Sequence, residues 1–155
     1  MKIFIASDHA GFELKKALIE HLRSKDFVVE DCGAFKFDPV DDYPDFIFPC
    51  AQKVGSDSGS LGIVIGASGQ GEAMVANKVK GIRAALFYGG DLDLVKRSKD
   101  HNNANVLSLG AKFLSIEEAK KAVDLWVSEF FSNEERHVRR IGKIKKLEEN
   151  IHEIQ

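Results

Sequence analysis

Ile63-Val64-Ile65-Gly66-Ala67-Ser68-Gly69-Gln70-Gly71-Glu72 begins as an apolar β-branched run and ends in a turn with three glycines. The alanine-rich segment Ala73 to Lys78 then reads as the start of a helix. Such a strand–turn–helix junction aims backbone N–H groups at one point, at the positive end of a helix. It can hold an anion, either a phosphate or a developing oxyanion. Ser68 adds a hydroxyl and Glu72 a carboxylate, and a carboxylate beside an anion cradle points to proton transfer. The bland alternative is a tight turn that needs glycine for positive φ, with Glu72 merely complementing the helix dipole. As a base, Glu72 would need a raised pKa. The spacing Gly66-x-x-Gly69-x-Gly71 is not G-x-G-x-x-G and no P-loop Lys-Ser/Thr follows, so a dinucleotide or ATP site is not expected. No G-x-S-x-G elbow surrounds Ser68, which reads as a hydrogen-bond donor rather than a nucleophile.

Working outward, strands alternate with helices along the whole chain. Strands are expected at Lys2–Ala6, Phe27–Glu30, Gly62–Ile65, Ile82–Phe87 and Asn105–Leu109. Helices are expected at Gly11–Arg23, Asp45–Val54, Glu72–Lys78 and Asp91–Lys99, with a loop from Gly33 to Pro44. Ser115-Ile116-Glu117-Glu118 is a capping box opening a helix that buries Ala119, Val123, Trp126, Val127 and Phe130. A last helix, about 136–153, carries a narrow apolar stripe of Ile141, Ile144, Leu147, Ile151 and Ile154, to be buried internally or against another subunit. The alternation predicts one domain over 1–155, a doubly wound five-stranded parallel sheet with helices on both faces. Ligands of such sheets sit at the carboxyl ends of the strands, where strand order reverses.

Composition narrows the function. A formal net charge of -2 argues against a nucleic-acid surface. No apolar run approaches the roughly 20 residues needed to span a bilayer. The N-terminus is too short and too soon acidic for a signal peptide, so a cytoplasmic protein is expected. Cys32 and Cys50 lack metal-type spacing and read as partly buried free thiols.

Polar clusters follow the strands at Ser7-Asp8-His9, Asp41-Asp42-Tyr43, the Gly66–Glu72 turn and Tyr88. Asp8 is either a helix cap or, with His9, part of a site. Arg136 and Arg140 lie one turn apart on a helix and can hold a phosphate dianion bidentately. His101-Asn102-Asn103 precedes the fifth strand and therefore falls at the opposite sheet edge, unless a helix end or a second subunit brings it in.

Ser7-Asp8-His9-Ala10-Gly11-Phe12-x-x-Lys15, Asp42-Tyr43-Pro44, Gly69-x-Gly71 with Ala76-Asn77-Lys78, Gly81-Ile82-Arg83-Ala84 and His101-Asn102-x-x-Asn105-Val106-Leu107 together resemble the type B ribose-5-phosphate isomerases. That family also includes galactose-6-phosphate and allose-6-phosphate isomerases. The resemblance spans the chain to about Arg140. It implies a dimer or tetramer with active sites shared between subunits, and aldose–ketose interconversion of a sugar phosphate without metal or cofactor. Many members carry a cysteine base at the position of Gly66; this sequence resembles instead the branch with Ser68 and a basic role for Glu72. Lys112 stands where an arginine contacting phosphate is common, keeping the charge but losing the fork geometry.

On that resemblance Arg136, Arg140, His9 and Lys112 bind the phosphate, and His101 and Asp8 open the sugar ring. Glu72 moves the proton through an enediolate. The N–H groups of Gly69, Gln70, Gly71 and Glu72, with Ser68, receive its oxyanion; Asn102 orients hydroxyls and Tyr43 walls the pocket. The competing expectations are a six-carbon sugar phosphate isomerase and a non-catalytic sugar-phosphate binding subunit. A nucleotide-binding signalling domain ranks behind both.

Overall fold

A computed structural model describes residues 1–153. Its elements are β1 (Lys2–Ser7), α1 (Phe12–Arg23), β2 (Val28–Asp31), α2 (Pro44–Ser56), β3 (Leu61–Gly66), α3 (Gln70–Ala76), β4 (Ala84–Phe87), α4 (Asp93–Asp100), β5 (Val106–Gly110), α5 (Ile116–Ser128) and α6 (Glu135–Glu153). The five strands form one parallel sheet in the order β2-β1-β3-β5-β4. Each expected strand and helix is present, with ends displaced by a few residues at most. The order could not be read from the chain, because neighbouring strands here are not always consecutive ones.

Alternate residues of β1 and β3 serve opposite faces, as a two-residue repeat requires. Ile3, Ile5, Ile63 and Ile65 pack with Leu14, Leu18, Leu22, Val123 and Trp126 under α1 and α5. Phe4, Ala6 and Val64 pack with Ile47, Cys50, Ala51 and Ala76 under α2 and α3. Strands buried on both faces have no polar positions to alternate, which is why β3 reads as a continuous apolar run. Chain order reverses between β1 and β3, so the loops after these two strands border a crevice.

The capping box opens α5 as expected: Glu118 N–H donates to Ser115 Oγ at 3.2 Å and Ser115 N–H to Glu118 Oε2 at 2.8 Å. Phe130 is a correction. It is 80% exposed, because α5 ends at Ser128 and Glu129 turns the backbone extended before Phe130 can reach the core. On α6, Ile144, Leu147 and Ile151 are exposed, so the chain does not cover its own stripe; Ile154 lies outside the described residues. Both cysteines are free, Cys50 buried and Cys32 half-buried. No helix among the described residues is long and apolar enough to cross a membrane.

Candidate active site

The glycine turn follows β3 directly, and its three glycines are there for different reasons. Gly69 has φ +75°, and a side chain there would also strike the Leu109 carbonyl group, 2.8 Å from the added carbon. Gly71 needs room rather than a special φ: a Cβ would stand 2.7 Å from Tyr43 Cζ, since the Tyr43 ring lies across the first turn of α3. At Gly66 a Cβ would overlap both carboxylate oxygens of Glu72. The acid therefore fills the volume that any side chain at 66 would take. A cysteine at 66 and a glutamate folded back from 72 are alternatives for the same space.

Glu72 is 4% exposed. Burial raises its pKa, its own backbone N–H opposes this, and the negative charge of Asp8 adds a further push upward. A carboxyl group shifted in this direction is suited to take a proton and give it back. Ser68 Oγ accepts from the Gln70 N–H at 3.3 Å, and Ser108 Oγ braces the turn from below by donating to the Gly69 carbonyl at 2.6 Å.

Asp8 satisfies both readings of it. Its Oδ1 accepts from the N–H groups of Ala10 and Gly11 at 2.9 and 3.1 Å, holding the entry to α1. It is also close enough to Glu72 to act on it electrostatically. His9 is held by a residue that sequence reasoning passed over. Asp41 Oδ1 takes the His9 backbone N–H at 3.1 Å and contacts ring Nδ1 at 2.6 Å. That hydrogen bond raises the pKa of His9 and leaves Nε2 free to face a ligand. Asp41 was visible only as one of two acids beside Tyr43.

Asp8, His9 and Asp41 offer ligand atoms within 4.8 Å of one another, a spacing that a divalent cation accepts. His9 Nδ1 and Asp41 Oδ1 are already bonded to each other there. Lys112 follows β5, its N–H donates to the Ala67 carbonyl at 3.0 Å, and its charge reaches His9. Tyr88 instead packs on Phe113, with ring centres 5.8 Å apart.

The structure thus brings Asp8, His9, Tyr43, Ser68, Gly69, Gln70, Gly71, Glu72 and Lys112 to the carboxyl edge of the sheet. It does not bring His101, Asn102, Arg136 or Arg140 there. His101 ends α4 just ahead of β5, at the amino edge. Its ring stacks on His137, with centres 4.4 Å apart. His137 is buried and Ser132 Oγ lies 3.0 Å from its Nδ1. Burial lowers its pKa, with the charges of His101, Arg136 and Arg140 adding to the effect. Read from sequence, His137 was only a residue between two arginines. Arg140 is exposed, and Arg136 pairs with Glu134 at 2.8 Å. Five residues of β5 separate the two edges by about 17 Å, further than any side chain reaches.

A parallel α/β sheet with a buried carboxylate, a glycine turn and a braced histidine at its reversal point is an arrangement suited to proton transfer on an anionic ligand. Residues 3–144 match the model of the Ribose/Galactose Isomerase family, and the chain belongs to that family. It is 40% identical over 148 residues to ribose-5-phosphate isomerase B of Mycobacterium leprae, covering 96% of this chain and 90% of the relative. It is 48% identical over 147 residues to a probable ribose-5-phosphate isomerase B of Mycoplasma genitalium, covering 94% and 95%. The crystal structure of the Mycoplasma genitalium enzyme with bound ribulose-5-phosphate superimposes with a TM-score of 0.91 at 46% identity, covering 96% of each chain.

Proposed function

We propose that the protein interconverts ribose 5-phosphate and ribulose 5-phosphate through an enediolate, with Glu72 as the base. The observation that carries this reading is the buried Glu72 carboxylate, seated in the space over Gly66 with its pKa raised. The open-chain aldose loses its C2 proton to Glu72 and the electrons move onto the carbonyl oxygen O1; the proton on O2 passes to O1, and the same carboxylate returns its proton to C1 as C2=O forms. The negative oxygen that develops is received by the N–H groups of the Gly69–Glu72 turn and the Ser68 hydroxyl. Oxyanion donors are each worth about 3 kcal/mol of barrier in comparable sites. Asp8 and His101 open the sugar ring, and Tyr43 closes one side of the pocket.

His101, Asn102, Arg136 and Arg140 act on the site of a second copy. The separation of the two edges and the uncovered stripe of α6 support this reading, in which α6 lies at the subunit interface. Arg136 and Arg140 bind the phosphate with His9 and Lys112, and Asn102 orients hydroxyls. The test is turnover of ribose 5-phosphate in deuterated water. Deuterium should enter the ketose product at C1. Efficient turnover with complete retention of the substrate hydrogen would mean hydride migration and would overturn the proposal.

A further inference from the structure

Two buried lysines have unlike surroundings. Lys15 lies against a carboxylate: its Nζ donates to Asp31 Oδ1 at 2.7 Å and to the Ala34 carbonyl at 2.6 Å. Lys99, on the inward face of α4, is 8% exposed and has a different environment. Its Nζ donates to the Ala104 carbonyl at 3.1 Å and stands 4.6 Å from the centre of the Trp126 ring. A carbonyl and an aromatic face stabilise an ammonium group but leave its charge uncompensated. Burial, with Arg83 nearby, pulls the Lys99 pKa down to about 8, so the group is still mostly protonated at neutral pH.

Lys99 borders a cavity of about 530 Å³ at the amino edge of the sheet. Arg83 borders it too, half-buried, its guanidinium donating to the carbonyls of Asn102 and Asn103 at 2.8–3.1 Å. Among the described residues no carboxylate hydrogen-bonds to either cation. Of the two acids on the wall, Glu129 pairs with Lys96 at 4.0 Å and Asp57 follows the end of α2. The remaining wall is largely small, polar or apolar, with Val54, Leu61 and Val127 among it. The volume falls within the range of small-molecule sites. None of the residues assigned above to the isomerase site lines it.

We propose that this cavity is a second binding site, for a small oxyanion of the phosphate monoester type. Its charged head sits between Lys99 and Arg83 and its organic part lies toward Val54 and Leu61. Lys99 is buried with no acidic hydrogen-bond partner, while half-buried Arg83 feels the Glu148 carboxylate from outside this cavity, so an anion from solution would give Lys99 the counter-charge it lacks. Because Arg83 also holds the carbonyls of Asn102 and Asn103, occupancy is linked to the loop that carries His101.

Trp126 is the sole tryptophan and touches Lys99, so its fluorescence reads this site. Inorganic phosphate titrated into the whole protein should give a saturable change. The change should persist in Arg140→Ala and in Lys99→Arg, and Lys99→Met should weaken the apparent affinity at least tenfold. No saturable change, undiminished affinity in Lys99→Met, or loss of the response in Arg140→Ala would each overturn the proposal. The last outcome would place the phosphate in the isomerase site. Should Lys99→Met not fold, brief acetic anhydride labelling of the unmodified protein decides. Phosphate should slow acetylation of Lys99 at least threefold and leave exposed Lys25 unchanged; equal slowing or none overturns the site.

Discussion

The two edges of the sheet hold the two halves of one proposed site in opposite physical states. At the carboxyl edge the acid is buried, its space is reserved by a glycine, and His9 is clamped by Asp41. At the amino edge the arginines are exposed, and only the His101–His137 stack is anchored. The cost of each function falls on a different edge. A base must be desolvated to have a useful pKa, so the chain buries it alone. A phosphate clamp works while still hydrated, and its geometry can wait for a second subunit.

The largest effect should come from removing the buried acid. Glu72→Gln keeps the shape and should lower kcat by roughly 10²–10⁴-fold with little change in KM, measured by steady-state turnover of ribose 5-phosphate. Near-normal kcat would break the contrast at its stronger end. Arg140→Ala should act on the other half, raising KM tenfold or more. Mixing the two variants sharpens the comparison. A heterodimer of Glu72→Gln and Arg140→Ala chains has one intact site of two, so random reassortment should restore about a quarter of the activity. No recovery would place both halves in one chain.

Gly66→Ala comes next. The added methyl group displaces the Glu72 carboxylate, and kcat should fall by about one to two orders of magnitude. In the Glu72→Gln background the same change should cost little more, because the two substitutions act on one group. Full additivity would mean that Gly66 serves something else. Asp41→Asn should then raise KM several-fold by loosening His9, and should lower the pKa seen for that histidine by NMR.

The smallest effect is on stability. Glu72 in the folded protein has a pKa above its ordinary value of 4.5, so its bound proton favours folding. Stability is therefore lost as pH rises through that raised value, and the loss persists at neutral pH. Glu72→Gln should melt higher than the parent at pH 7, by roughly a few degrees. The gain should vanish near pH 4, and thermal melts at both values check it.

Much of this was legible in the chain. The alternation of apolar runs with helical periodicity sufficed for the element order, and the glycine turn for the position of Glu72. Phe130 misled, because helical spacing continues in the sequence past the point where the backbone leaves the helix. Asp41 and His137 were missed for a common reason. Each acts on a residue distant in sequence or facing another element, and no local spacing records such a pair.

From sequence alone came the class of fold, the acid, and the observation that His101 belongs to the wrong edge. These follow from local periodicity and from the rule that loops after parallel strands share one edge. Strand order, the Glu72 carboxylate lying over Gly66, the clamp on His9 and the uncompensated Lys99 were settled only by tertiary packing. They depend on which distant groups share a few ångströms, and burial, unlike residue type, is a property of the assembled chain.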